Sequence, residues 1–170
     1  ISVDCPGTVV GGSVAYRNLI AGNKGTGLSL ASGTVVKANF IGVDATGLAA
    51  LSNGTSGVDI WQGSYNQVGG TTPGDGNIIS GNGGAGIRIY HSNSFNNVIE
   101  GNYIGTDVNG AFALGNDIGV FIDGGRSNRV GGSNPLSVNL ISGNQSSGIE
   151  LRSGARNNMI QRNLIGTDAF

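Results

Sequence analysis

Apolar residues along this chain come in short pieces separated by Gly and Asn. Six pieces fit one template: Asn, any residue, Ile, two residues, then Asn or Asp. They are Asn18-Leu-Ile-Ala-Gly-Asn23, Asn39-Phe-Ile-Gly-Val-Asp44, Asn77-Ile-Ile-Ser-Gly-Asn82, Asn102-Tyr-Ile-Gly-Thr-Asp107, Asn139-Leu-Ile-Ser-Gly-Asn144 and Asn163-Leu-Ile-Gly-Thr-Asp168. Their starts step by 21, 38, 25, 37 and 24 residues, so short and long steps alternate and neighbouring steps pair into units of 59–63. A second motif, Gly-apolar-any-apolar, begins at Gly27, Gly57, Gly86, Gly119 and Gly148. A third apolar piece centres on Val36, Val68, Ile99, Val130 and Ile160.

Each piece alternates with period two over three to five residues, which reads as a short strand. No stretch keeps a 3.6-residue period long enough for a stable helix, and frequent Gly would weaken one. Three short strands per ~30 residues predict an all-β fold: a parallel β-helix, or β-solenoid, of about six coils, each giving one strand to each of three sheets. Parallel crossovers are right-handed almost without exception, so a right-handed solenoid is expected. At a strand spacing of ~4.8 Å, six coils make a prism roughly 29 Å long.

Stacking sets equivalent residues above one another. Ile20, Ile41, Ile79, Ile104, Ile141 and Ile165 form one inward column. Leu28, Val58, Ile87, Val120 and Ile149 form a second, and Leu30, Ile60, Ile89, Ile122 and Leu151 a third. Two polar columns follow from the template: Asn18, Asn39, Asn77, Asn102, Asn139, Asn163, and then Asn23, Asp44, Asn82, Asp107, Asn144, Asp168. Stacked amides can hydrogen-bond from coil to coil, and Asn suits turns. Asp44-Ala-Thr-Gly47 and Asp107-Val-Asn-Gly110 resemble pieces of a calcium loop, which makes Asp44 and Asp107 the candidate metal residues. The full loop spacing with its terminal Glu is absent, so Asx-capped turns are the favoured reading and no cofactor is assigned. Long excursions after Asp44 and Asp107 fall on alternate coils, with Leu51 and Leu114 expected to tuck back as anchors.

Composition narrows the function. Gly is 33 of 170 residues, but it has no every-third period, and Pro is only 3, so the chain is not collagen-like. A formal net charge of −1 argues against a dedicated nucleic-acid binder. No apolar run approaches the ~20 residues that span a bilayer. One Cys and one His exclude an internal disulfide, a Cys-based zinc site and a two-His mechanism. Cys5 is expected to be a small buried residue or a bridge to sequence outside this stretch. His91 reads as a turn residue.

The run from Asn77-Ile-Ile-Ser-Gly-Asn82 through Asn102-Tyr-Ile-Gly-Thr-Asp107 to Asn128-Arg-Val-Gly-Gly132 resembles repeats in large secreted or surface proteins of bacteria, within the pectate-lyase-like right-handed β-helix superfamily. The resemblance runs from Val9-Val-Gly-Gly12 to Asp168. It implies an extracellular or cell-surface bacterial setting and a choice among polysaccharide lyases, hydrolases, epimerases, tailspikes and adhesins. No lyase or glycosidase motif transfers residue by residue, so no catalytic residue is assigned.

The outward positions of the Gly-apolar strands are where side-chain chemistry would be displayed. One column runs Ser29, Asp59, Arg88, Phe121, Glu150, and the next Ala31, Trp61, Tyr90, Asp123, Arg152. Asp59 should face Arg88, and Asp123 should face Arg152. Acids thus meet bases instead of pairing for acid–base work. Trp61 and Tyr90 share a column on adjacent coils, with Tyr65, His91 and Phe95 on the following turns and Arg126 and Arg129 beside them. Trp61, Tyr90, Asp59, Arg88, Phe121, Asp123 and Arg152 are the candidate carbohydrate-binding residues. With no capping helix at either end, the chain reads as one domain over 1–170, a piece of a longer solenoid. Its ends are expected to meet the rest of a larger surface protein or identical subunits. The expected function is a non-catalytic scaffold or adhesion module that binds polysaccharide. The alternatives are part of a polysaccharide-processing enzyme, and a filament subunit.

Overall fold

The computed structural model describes residues 1–168. Among them the chain folds as a β-solenoid of three parallel sheets, each six-stranded. The first sheet stacks Ser2–Val3, Leu28–Leu30, Val58–Trp61, Ile87–Tyr90, Ile118–Asp123 and Ser147–Arg152. The second stacks Val9–Gly11, Val35–Lys37, Gln67–Gly69, Val98–Glu100, Arg129–Gly131 and Met159–Gln161. The third stacks Leu19–Ile20, Phe40–Ile41, Ile78–Ile79, Tyr103–Ile104, Leu140–Ile141 and Leu164–Ile165. The registers place the expected partners opposite each other: Ile60 meets Ile89, Val68 meets Ile99 and Ile79 meets Ile104. The inward side chains form one continuous aliphatic core, with Val36, Ile60, Ile79, Ile99 and Val120 fully buried. Each such side chain contributes about 1.5–3 kcal/mol.

A solenoid must turn three corners per coil, and each corner buries backbone groups that no strand pairs. Asparagine ladders satisfy them. At the corner between the second and third sheets, Asn18, Asn39, Asn77, Asn102, Asn139 and Asn163 pass Nδ2–H···Oδ1 bonds down the stack at 2.8–3.1 Å. Each of these Oδ1 atoms, except the last, also accepts the backbone N–H of the asparagine one coil before. The second Nδ2 hydrogen goes to a core-strand carbonyl, as from Asn77 to Val36, Asn102 to Val68 and Asn139 to Ile99. Both donors and both acceptor sites of the amide are thereby used, which suits groups that are fully buried.

The second ladder corrects the sequence-based column. It runs Asn23, Asn53, Asn82, Asn116, Asn144 at the corner between the third and first sheets. Asp44 and Asp107 stand outside it. In those coils the chain makes an excursion first and reaches the corner with Asn53 or Asn116. A carboxylate has no N–H to pass on, so it could not carry the chain of bonds. A third ladder, Asn66, Asn97, Asn128, Asn158, fills the corner between the first and second sheets. It begins where the Thr34 N–H donates to Asn66 Oδ1. The Thr34 hydroxyl is buried and has no partner.

The ladders explain the Gly and the left-handed positions. A Cβ on Gly86 would sit 2.8 Å from Asn116 Nδ2 and 2.8 Å from the Gly119 carbonyl oxygen, closer than real Cβ contacts allow. Tyr65, Asn96, Ser127 and Asn157, each just before a ladder asparagine, have φ between 54° and 59°. That costs each non-Gly residue roughly 1–3 kcal/mol, which the corner's bonds offset.

The alternating repeat has a simple origin. Odd coils carry an insertion before the third sheet, at 12–17, 70–76 and 132–138, two of them holding a 3-10 turn at Val14–Tyr16 and Pro135–Ser137. Even coils carry an excursion after it, at 44–52 and 107–115. Val43, Phe40 and Ile78 form a small second core outside the third sheet, with Tyr103, Val108 and Leu114 packed on it. Leu114 is an anchor as expected; Leu51 is not, being 47 % exposed. Cys5 is an exposed free thiol instead of a buried one.

Asn102→Ala is expected to lower unfolding free energy by about 3 kcal/mol or more, because the Asn77 N–H, the Asn77 amide and the Val68 carbonyl all lose their partner. Thr34→Val, which removes only an unpartnered hydroxyl, should leave stability unchanged or raise it. Urea denaturation of the two variants checks both.

Candidate functional site

The face foreseen from the sequence lies on the first sheet. Asp59 and Arg88 are register partners, as are Trp61 and Tyr90, on adjacent strands. Phe121 follows Arg88 and precedes Glu150, and Asp123 lies opposite Arg152. All seven foreseen residues therefore share one surface. Trp61 is 59 % exposed and Tyr90 39 %. Asp59 is buried, Phe121 and Asp123 are half-buried, and Arg152 is exposed.

The charges form an alternating chain across this face. Arg88 grips Asp59 with both Nε and Nη2, a bidentate pair. The hydrogen bonds that Arg88 donates to Asp59 raise its pKa against the opposing effect of burial, and the negative charges of Asp59 and Asp123 add to the rise. Arg152 was expected to pair with Asp123. Its Nε instead contacts Glu150, its neighbour along the strand. The guanidinium of Arg88 also lies 5.3 Å from the Tyr90 ring centre, and that of Arg152 lies 5.8 Å from Phe121.

The adjoining corner adds a second aromatic group. Tyr65 and Phe95 meet edge to face at 5.5 Å, and Arg126 covers Phe95 at 4.4 Å. Arg156 follows Arg126 one coil on. His91 is a turn residue with φ 88°, and its ring lies 6.4 Å from that of Tyr90. Arg129 belongs elsewhere: it pairs with the buried Glu100 on the second sheet.

Asp44 and Asp107 each close their own excursion. Asp44 accepts from Thr46 Oγ1 and from the N–H groups of Leu48 and Ala49. Asp107 accepts from Asn109 Nδ2, Ala111 N–H and Phe112 N–H. Among the described residues no three His, Cys, Asp or Glu side chains gather as a metal set. The two carboxylates fit a loop-closing role.

Sequence reading missed the outer side of the third sheet. Leu19, Phe40, Ile78, Tyr103, Leu140 and Leu164 form an outward apolar column there. The insertions wall one side of it and the excursions the other. A notch of about 400 Å³ opens over Tyr103 between Thr72-Pro73 and Pro135-Leu136. The signal was present in the template itself, whose second position is always apolar.

The Thr46 hydrogen bond leads the effects that hold the Asp44 carboxyl below its usual range. Burial works against ionisation of Asp107, but the Phe112 and Ala111 N–H groups outweigh it and its pKa is also lowered. With folded values below unfolded ones, these carboxylates stabilise the excursions above about pH 4, and that contribution fades as pH falls through the lowered values. Hydrogen exchange is therefore expected to show the Leu48, Ala49, Ala111 and Phe112 amides losing protection in acid before the strands do. Asp107→Ala should abolish that acid dependence at Ala111 and Phe112.

No family model matches this chain, and no curated protein does. Among solved structures it is similar to the A-module of the mannuronan C-5 epimerase AlgE4 from Azotobacter vinelandii, at 17 % identity and a TM-score of 0.39. That similarity covers 97 % of this chain and 54 % of the other, so the chain spans about half the length of the protein it matches.

Proposed function

We propose that this chain is a non-catalytic scaffold or adhesion module of a bacterial surface protein, binding polysaccharide across Trp61 and Tyr90. The carrying observation is the pairing of two exposed aromatic residues at register-matched positions on adjacent strands. Their backbones are fixed by the sheet, so little order has to be gained on binding. Flat rings offer apolar faces to sugar C–H groups, and the polar Asp59, Arg88 and Asp123 beside them supply partners for hydroxyls.

Two features favour binding over catalysis on this face. Asp59 is neutralised by Arg88, and Glu150 by Arg152. Trp61 and Tyr90 are also exposed, so water reaches a sugar laid across them.

A glycan-array screen of the intact chain tests this reading, with Trp61→Ala and Tyr90→Ala alongside. Binding is expected to fall about tenfold in each variant, as the loss of ~1.4 kcal/mol of ring contact implies. Unchanged binding in both variants, or no glycan bound at all, overturns it. Release of cleaved or modified sugar would replace it with the enzyme reading.

A further inference from the structure

The last four strands of the first sheet carry five charged side chains: Asp59, Arg88, Asp123, Glu150 and Arg152. Three are carboxylates and two are guanidinium groups, so this face holds one negative charge in excess. Arg88 is taken by Asp59, and Arg152 by Glu150. The excess therefore resides on Asp123. Among the described residues its carboxylate makes no ion pair and no hydrogen bond. Arg88 feels its charge only across space.

The position of this carboxylate matters as much as its charge. Asp123 follows Ile122, the register partner of Ile89, so it stands one coil on from Tyr90 in the column that holds Trp61 and Tyr90. The His91 N–H donates to the Asp123 carbonyl at 2.8 Å, and the Gly124 N–H donates to the Arg152 carbonyl at 3.0 Å. The backbone that carries the acid is thus tied to the coils on both sides of it. The side chain is half-buried beside exposed rings.

A sugar chain laid on Trp61 and Tyr90 and running along the solenoid axis would cover Asp123 on the next coil. Covering an unpaired charge is costly unless the ligand returns an opposite one. A neutral hydroxyl restores only part of the lost hydration, and a ligand carboxylate would be repelled. A protonated amine restores the balance with a charge-assisted hydrogen bond. The arginines without a carboxylate partner beside this face, Arg126 and Arg156, lie around the corner, where Arg126 is stacked on Phe95.

We propose that the Trp61–Tyr90 face takes a polysaccharide bearing free amino groups, a hexosamine polymer that has lost its N-acetyl groups, and that Asp123 holds the ammonium. The rings receive the apolar sugar faces, and the amine of the sugar one coil on meets the carboxylate. The proposal rests on the reading of this face as a polysaccharide site and adds the charge class of the polymer.

The test is calorimetric titration of the folded chain with four β-1,4-linked tetramers, of glucosamine, N-acetylglucosamine, glucose and a uronic acid, at about pH 6, where the amine keeps its proton. The glucosamine tetramer is expected to bind about tenfold more tightly than the acetylated one. Asp123→Asn should remove that preference and leave binding of the acetylated tetramer unchanged. Asp4→Asn, which takes the same charge from the first coil, should leave the preference intact. Equal binding of the glucosamine, acetylated and glucose tetramers would overturn the amine assignment while leaving the polysaccharide reading standing. Tightest binding of the uronic acid would overturn it in favour of Arg126 and Arg156. A preference that survives Asp123→Asn, or is lost in Asp4→Asn, would overturn the role of Asp123. No binding of any tetramer would overturn this proposal and the polysaccharide reading together.

Discussion

A coil of this solenoid packs on the coils above and below it, so the buried polar groups of its corners find most of their partners along the stack. The corners are where this constraint bites, because strands pair their own backbone and turns do not. Asparagine meets it at all three corners. Its amide donates twice and accepts twice, and here all four capacities are used between adjacent coils. The strands supply hydrophobic cohesion, which is non-directional and tolerates a slip of a coil against its neighbour. The ladders are directional, and they tie each corner to the same corner of the next coil. The requirement for Gly at the start of the first-sheet strands follows from the space the ladder amide occupies. The left-handed residues that precede many ladder positions follow from the sharp bend.

Once the corners are fixed, the chain is free to vary between them, and it does so on alternate coils. Insertions before the third sheet and excursions after it never fall on the same coil. This produces the 59–63 residue unit, and it gives the third sheet a walled outer face while the first stays open. The open face carries Trp61 and Tyr90. The walled face carries a row of apolar side chains, partly covered by Val43, Val108 and Leu114. Two surfaces of different chemistry thus arise from one repeated backbone.

The three-strand coil, the inward columns and the first asparagine ladder were legible in the sequence, because each depends on residues that recur at fixed offsets. The register of Asp59 with Arg88 and of Trp61 with Tyr90 followed from the same spacing. The second ladder was misread where the template ends in Asp44 and Asp107, since offsets alone cannot show that the chain detours before reaching its corner. Asn53 and Asn116 lie beyond the detour. The third ladder went unnoticed because its asparagines sit among variable turns such as Asn96-Asn97 and Asn157-Asn158, where two amides compete for one position. The partner of Arg152 was misjudged because a long side chain can reach along its strand as easily as across it. The notch over Tyr103 was hidden for a different reason. Its walls come from the insertions 70–76 and 132–138, whose residues the repeat template does not align.

The central claim is that asparagine side chains, and not the strands alone, hold the corners. Hydrogen exchange of the asparagine side-chain amides measures this directly. The Nδ2 hydrogens of Asn77, Asn82, Asn97, Asn102 and Asn116 should exchange only as slowly as the core-strand backbone amides do. Those of the exposed Asn93 and Asn134 should exchange at once. Ladder amides exchanging as fast as these exposed ones, while the strands stay protected, would contradict the account.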